Sequence, residues 1–584
     1  MSKPDVQAIR AQLQRILASS GFVHAERMRR FLQLAVTEAL EGRAGQLKEY
    51  TIGVSVFDRP PAFDPAVDPL VRVEARRLRA KLEKYYEGEG RGDRIVIELP
   101  KGGYAACFRF RETDAPTPAQ APNSIAVLPF QNVGVAPDGQ YFSDGLTWEL
   151  IHQLTRVEGI SVVAWNSAAQ VRESSDVLSA GARLKAATVL TGSVRQARDR
   201  LRIIAQLIDV HSGVYLWSET YDRKLEDIFA IEDDIARSIV SRLQTRLAVA
   251  GDVVKPASSY NLEAYQLYLK GRALWNQRTS DGLNGSLHYF EKATEVDGMF
   301  ALGYAGIADA YALLADYGHA FPAELVPVAK RAALRALEID PSLGEAHCSL
   351  AFLTANYEWK WREGEVHFRR ALALNPGYAT AHHWLGTDVL ALVGRFDEAL
   401  RENELAQRLD PLSPIIGESP GYMLLLTRRY QEAEQYYRDL AATFPSFYKA
   451  HTALGRTLLQ MGRFDEAILE LERGRRLGGG DFSSILGAMG QAHALNGNRD
   501  EAVRLLGTLE EISRARFVPA TCFALIHLGL GDKKRALERL RRGVDQHELS
   551  VCALAVHPAY DSLRDEPEFR VLLERMGLPT SVTF

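Results

Sequence analysis

Residues Asp68 to Phe110 read DPLVRVEARRLRAKLEKYYEGEGRGDRIVIELPKGGYAACFRF, and this stretch decides the fold of the first part of the chain. At about 100° per residue, Val71, Ala75, Leu78, Leu82 and Tyr85 gather within about 80° of one another, the apolar stripe of a core-facing helix. Arg72, Arg76 and Arg79 collect on one polar flank of that helix, and Arg77, Lys81 and Lys84 on the other. Two short runs follow, Arg94–Leu99 and Tyr104–Phe110, hinged on Pro100-Lys101-Gly102-Gly103. They predict a β-hairpin with a basic tip, and the glycines at Gly88, Gly90 and Gly92 suit a turn leading into it.

Upstream, helical patterns at Ala25–Glu41 and Leu47–Phe57 supply the rest of a three-helix core. This order of helix, helix, basic helix and hairpin resembles the winged helix-turn-helix of OmpR/PhoB-type regulators, with ARRLRAKLE…RIVIELPKGGYAACF at its recognition helix and wing. The chain departs from that pattern in having helical rhythm (Asp5–Ala18) where the family carries a small N-terminal sheet, and it has no receiver domain. The resemblance implies a helix in the DNA major groove. Arg72, Arg76 and Arg79 would reach bases or phosphates, while Arg77, Lys81, Lys84 and Lys101 would hold backbone phosphate. The competing expectation is a solvated face, with some cations paired to Glu74 and Glu83.

Charge follows the same division. Residues 1–112 hold 20 Lys+Arg against 15 Asp+Glu, a balance of +5, whereas the chain as a whole carries −4. A basic first part on an acidic body suits a polyanion partner for the first part alone. The linker Glu112–Asn123, ETDAPTPAQAPN, separates them and lacks any apolar period.

Residues 124–249 predict a mixed α/β domain. SIAVLPF opens as a buried strand, YFSDGLTWELIHQLTRV follows as a helix, and ISVVAW returns as a strand. After a helix near Val177–Ala186 come TVLTGSVRQ, RLRIIAQLIDV and VYLWSETYD, joined by short turns at Ala197–Arg200 and His211–Gly213. An acidic helix, Leu225–Leu247, closes the block. SIAVLPFQNV, YFSDGLTWELI and VLTGSVRQARDRLRIIAQLIDVHSGVYLWSETYDRKLEDIFAIEDDIA resemble the TolB amino-terminal (FlgO-like) domain. That resemblance implies an interaction or ligand-sensing module and brings no catalytic residues with it.

A second break at Ala250–Ser259 precedes a fixed period. Ala329, Gly364, Ala399, Ala433, Ala467, Ala502 and Ala536 are spaced by 34 or 35 residues. Pro341, Pro376, Pro411 and Pro445 keep the same clock, Gly479 continues it, and Gly462, Gly497 and Gly531 form a further series. Small residues let paired helices approach, glycine ends the first helix, and proline refuses to continue the second. The period and the segment Ala450–Gly474 match the tetratricopeptide repeat, giving about eight units over 261–548 with a concave surface suited to a protein or peptide. Residues 549–584 are expected to cap the apolar end of that solenoid.

The fold class is therefore multidomain α plus α/β: an N-terminal winged helix-turn-helix (1–111), a linker (112–123), a central mixed α/β TolB-like domain (124–249), a C-terminal α-solenoid of tetratricopeptide repeats, and a capping segment. Apolar residues make up 46% and charged residues 25%, the balance of globular protein. No apolar run reaches the ~18 residues of a membrane span, and the polar start MSKPDVQAIRAQLQ does not read as a signal peptide. Cys107, Cys348, Cys522 and Cys552 lie far apart, which argues against a disulfide scaffold or zinc finger and suits a reducing cytoplasm. His382-His383 point about 100° apart on a helix, so they are poor co-ligands. His451, His493 and His527 fall on repeat positions and are expected to pack. Asp233-Asp234 reads as a solvated face. GxxxxGK[ST], GxSxG and HExxH are absent. The expectation is no enzyme, no cofactor and no metal, but a cytoplasmic one-component transcriptional regulator that binds double-stranded DNA, as a possible homodimer. An assembly scaffold using its winged helix for protein contacts is the alternative; salt-sensitive DNA binding separates the two.

Overall fold

The chain divides into two units, 1–119 and 120–584. The computed structural model describes residues 6–582 apart from 20, 24, 41–42, 44–46, 61, 66, 91–92, 94, 101–102, 111–122, 134–138, 158, 175, 198–199, 225–227, 248–260, 278, 317–320 and 479–481. The linkers over 112–122 and 250–259, Lys101, Gly479 and the centre of the Ala197–Arg200 turn thus lie outside the described residues.

In the first unit, helices α1 (Val6–Ala18), α2 (Glu26–Leu40), α3 (Glu49–Phe57) and α4 (Leu70–Glu87) precede strands β1 (Ile95–Glu98) and β2 (Cys107–Phe110). The strands pair antiparallel, Ile95 opposite Phe110 and Glu98 opposite Cys107. The stripe read from sequence is the buried face: Val71, Ala75, Leu78, Leu82 and Tyr85 join Phe31, Ile52 and Ile97 in one core. The Asp68 carboxylate accepts from the Leu70 N–H at 3.0 Å, satisfying one of the free donors at the start of α4. Gly53 lets α3 sit against Phe63, since a Cβ there would lie 2.3 Å from the ring.

The second unit begins with a mixed sheet of strands β3 (Ser124–Val127), β4 (Gln131–Asn132), β5 (Ser161–Val162), β6 (Thr188–Ala197), β7 (Arg200–Asp209) and β8 (Tyr215–Lys224). The order is β5-β3-β6-β7-β8, with β4 also on β6; pairs involving β3 or β4 are parallel and the β6–β7–β8 meander is antiparallel. Helices α5 (Gly139–Thr155) and α8 (Ile228–Leu247) share one core with the sheet. A second core joins Ala126 and Val189 of the sheet to Val171, beyond α6 (Trp165–Ala169), and to Ala180 of α7 (Val177–Arg183).

Among the described residues eight helix pairs follow, from Leu262–Trp275 with Ser280–Val296 to Ala520–Gly529 with Lys533–Asp545. The small residues of the 34-residue clock are their close contacts. Ala329, Ala399, Ala433, Ala467, Ala502 and Ala536 are fully buried, and a Cβ on Gly364 would stand 2.6 Å from that of Ala355. Gly394, Gly462, Gly497 and Gly531 have φ between 74° and 83°. The same slot is left-handed at Trp359 (φ 55°) and Arg428 (φ 63°), where the side chain makes that backbone costly.

Those two departures locate the C-terminal segment. Trp359 stacks on His547, and Arg428 donates to the Val556 carbonyl at 2.6 Å and to Asp561 at 2.7 Å. The tail does lie on the last repeat, with Arg575 on Asp545 at 2.8 Å and Lys533 on Glu566 at 2.8 Å. It also returns to the middle repeats, where the Trp361 indole donates to the Met576 carbonyl at 2.7 Å. The C-terminal segment thus touches both the last repeat and the middle repeats.

The α/β part and the solenoid are fastened together. The Ala164 N–H donates to the Leu409 carbonyl at 2.7 Å, and Ser167 donates to the buried Asp410 while accepting from the Leu412 N–H at 2.8 Å. Gly145 admits Leu269, whose side chain would lie 2.2 Å from a Cβ there. His152 of α5 meets Glu345 of the solenoid at 2.7 Å, both buried.

Candidate nucleic-acid interface

The basic helix α4 owes its orientation to both ends of the unit. At its C-terminal end, the Tyr85 hydroxyl and the Gln12 amide both donate to Asp93 at 2.6 Å, which ties α1 to α4. The Tyr86 hydroxyl accepts from the Ile97 N–H at 2.7 Å, and burial pushes its pKa up to about 12. At the other end, Arg72 holds Glu49 of α3 at 2.8 and 3.0 Å, and the same carboxylate accepts from Tyr104 at 2.7 Å. The hydrogen bond from Arg72, opposed by partial burial, holds Glu49 below the usual carboxylate range.

The seven cations read from sequence separate into distinct groups. Arg79 donates to the carbonyls of Leu99, Pro100 and Gly103 at 3.1, 3.0 and 2.9 Å. These bonds pin the hairpin turn to α4. Arg72, bonded to Glu49, is likewise a bracket between helices, although its side chain stays 58% exposed. Lys81 turns back over the Phe22 ring, 5.6 Å from its centroid. Arg77 pairs with Glu74 at 2.7 Å, one turn away, and remains 66% exposed. Arg76 and Lys84 are exposed and have no hydrogen bond or ion pair among the described residues. Lys101 lies outside the described residues.

What faces outward on α4 is therefore narrower than six cations. It is a stripe of Val73, Arg76, Arg77, Ala80 and Lys84, all exposed and within about 100° of one another on the helical wheel. Val73, 43% exposed, was not among the sequence candidates. Its place about 200° from Val71 on the helical wheel was the available signal. Cations flanking small apolar groups suit a surface that meets phosphates and base edges together, since thymine methyls offer apolar contact in the major groove.

Elsewhere the tempting titratable residues pack. His382 meets Glu402 at 2.6 Å and the Pro376 carbonyl at 3.0 Å, and His451 meets Glu470 at 2.7 Å. Burial lowers the pKa of His493 and His527. Among the described residues there is no cluster of His, Cys, Asp and Glu that could hold a metal, and no helix long and apolar enough to cross a membrane.

Comparison with known proteins gives the following likenesses. A curated relative, "Putative adenylate cyclase 3" of Rhizobium meliloti (strain 1021), is 37% identical over 198 residues, 33% of this chain and 34% of that protein. The chain thus spans about a third of the length of the relative it matches. Among solved structures, a human IFIT1 dimer with PPP-AAAA is 16% identical with a TM-score of 0.38, covering 55% of this chain and 81% of that one. The pilF protein of Pseudomonas aeruginosa is 22% identical with a TM-score of 0.28, covering 36% and 95%. Residues 424–492 match the tetratricopeptide repeat model. Residues 120–240 match the model of the HilA/YgeH-like transcriptional regulator, second domain, so the chain joins a HilA-like regulator domain to tetratricopeptide repeats.

Proposed function

We propose that the chain is a cytoplasmic, non-enzymatic, one-component transcriptional regulator whose first unit binds double-stranded DNA. In this reading residues 1–111 are a winged helix-turn-helix of the OmpR/PhoB type, and 124–249 a TolB-like domain that works with the repeats on a protein or ligand signal. The observation that carries it is the outward stripe of α4, with Arg76 and Lys84 unpaired among the described residues and Arg77 beside them. Cations left without partners on a rigid helix lose little on meeting phosphate, whereas paired ones must first break their pairs. The regulator-family match over 120–240 supports the same reading from an independent part of the chain.

The site is revised accordingly. Arg76, Arg77 and Lys84 meet DNA, with Val73 and Ala80 against base edges. Arg72 and Arg79 position the helix and hairpin, and Lys101 is retained as a phosphate contact. The cyclase named in the relative is not carried over, since only a third of its length is matched and this sequence has no nucleotide loop.

The test is fluorescence anisotropy of the full chain on duplex DNA, including its own upstream region, across a salt series. Binding whose log–log slope corresponds to several phosphates, at ~0.9 per contact, supports the reading. Absence of binding to specific and random duplex alike would leave the scaffold alternative.

A further inference from the structure

The mixed sheet of the second unit has one covered edge and one open edge. Just beyond β5, the Ala164 N–H donates to the Leu409 carbonyl of the solenoid, so that side is covered. On the far side β8 (Tyr215–Lys224) pairs with β7 and, among the described residues, with no other strand. It is 10 residues long, and Ser218, Glu219, Thr220, Arg223 and Lys224 are exposed along it. An edge strand of this kind presents a row of backbone donors and acceptors that a further strand can take up.

The side chains of β8 decide what can pair there. Trp217 and Tyr221 join Ile231 and Ile235 of α8 in the core, while Glu219 and Arg223, on the same row of the strand, stay exposed. Charges on the core-facing row of an edge strand ordinarily repel a newcomer. Here the two are of opposite sign and stand symmetrically about Tyr221, so the strand is complementary to itself. The other acid of the strand, Asp222, is already bridged by Arg200 and Arg202 at 2.7 Å each. Arg223 donates to the Asp222 carbonyl at 3.3 Å, a long exposed bond that a facing carboxylate can replace.

We propose that β8 pairs antiparallel with β8 of a second copy of this chain, about a two-fold axis at Tyr221. Tyr221 then faces its own copy, Thr220 faces Asp222, Glu219 faces Arg223 and Ser218 faces Lys224, the last three pairings each made twice. The two copies keep their core-facing rows on one side of the joint sheet only when a residue lies on the axis, which leaves few registers. Centring on Glu219, Asp222 or Arg223 sets that charge against itself. Centring on Ser218 or Thr220 leaves Glu219 opposite an aromatic ring. The Tyr221 register alone among these puts Glu219 across from a cation. The result is one sheet running through two copies, with both open edges used up. This goes beyond the DNA-binding reading and stands apart from it, because its readout is mass and involves no DNA.

The experiment is sedimentation equilibrium of the full chain from submicromolar to tens of micromolar, with amide hydrogen exchange at both ends of that range. The parent should approach twice the chain mass as concentration rises, and amides within 218–224 should slow as it does. Glu219→Arg sets two arginines across from each other in both pairings, and Arg223→Glu sets two glutamates. Each should weaken self-association about tenfold or more. An equimolar mixture of these two variants restores opposite charges at both pairings and should dimerise as the parent does, which also shows that each variant is folded. The chain carrying both substitutions should dimerise likewise. A parent that stays monomeric throughout overturns the proposal and leaves the edge to a strand of another protein or to none. A dimer that both single variants keep, or whose 218–224 amides exchange as in the monomer, overturns it equally. So does a mixture that remains monomeric.

Discussion

Trp359 and His547 stack face to face, ring centroids 4.1 Å apart and planes 10° apart, and both have left-handed backbone, at φ 55° and 52°. The position of Trp359 in the repeat clock is one where Gly394, Gly462, Gly497 and Gly531 stand in other units. The stack explains why a bulky residue is kept there: the indole fixes the turn at His547, just before the tail, on the third repeat.

Two substitutions separate strain from stacking. Trp359→Gly removes the ring and the strained backbone together, whereas Trp359→Ala removes the ring and keeps most of the strain. Both should release the tail, seen as faster proteolysis after 549. Trp359→Ala should be the less stable by about 1 kcal/mol in denaturant unfolding.

On α4 the revised roles predict opposite phenotypes for neighbouring arginines. Arg79→Ala deletes three hydrogen bonds to hairpin carbonyls and should cost the first unit about 1–2 kcal/mol. Arg76→Ala with Lys84→Ala should leave the unfolding midpoint unchanged but lower the salt slope of DNA binding by about two contacts. A double variant that kept the parent slope would show that this face does not meet phosphate.

The elements themselves were legible in the sequence because they rest on local periodicity. The stripe from Val71 to Tyr85 marked α4, the β-rich runs after Thr188 marked the meander, and Ala329 to Ala536 marked the repeats. What the sequence did not show depends on where the chain returns in space. Arg79 sits 80° from Val71 on a helical wheel and looks exposed there; only the docked hairpin supplies the carbonyls it binds. The tail's path was hidden for the same reason. A trace of it existed, since the glycine clock is interrupted at Trp359 and Arg428, the residues that hold it. The seam between the α/β part and the solenoid left a fainter trace. Gly145 matters only because Leu269 arrives from 124 residues away.

Ser167 tests that seam. Its hydroxyl both donates to Asp410 and accepts from the Leu412 N–H, so Ser167→Ala strips one partner from a buried carboxylate and one from a backbone donor. A loss of about 1–3 kcal/mol follows. Hydrogen exchange should quicken at the Ala164 amide, which bonds the Leu409 carbonyl beside it, more than in the β6–β7 ladder.

His152 and Glu345 make the seam sensitive to pH. Burial lowers the pKa of His152 and Arg156 adds to that, but the charge and hydrogen bond of Glu345 and the hydrogen bond of Glu149 together outweigh them and leave it above its ordinary 6.5. Burial would raise Glu345, yet His152 and Arg156 bring it down to about 2. The His152 contribution is therefore complete below pH 6.5 and is lost as pH climbs through its raised value. The Glu345 contribution is complete above 4.5 and fades as pH falls towards 2. The pair thus stabilises the second unit most between pH 4.5 and 6.5. His152→Ala leaves a buried carboxylate without its counter-charge and should cost about 3–5 kcal/mol at pH 6. Glu345→Gln in that background should recover part of the loss, because the stranded charge is gone. Unfolding measured from pH 5 to 9 should fall on its alkaline side in the parent and flatten in His152→Ala; an unchanged alkaline limb would assign that fall to other groups.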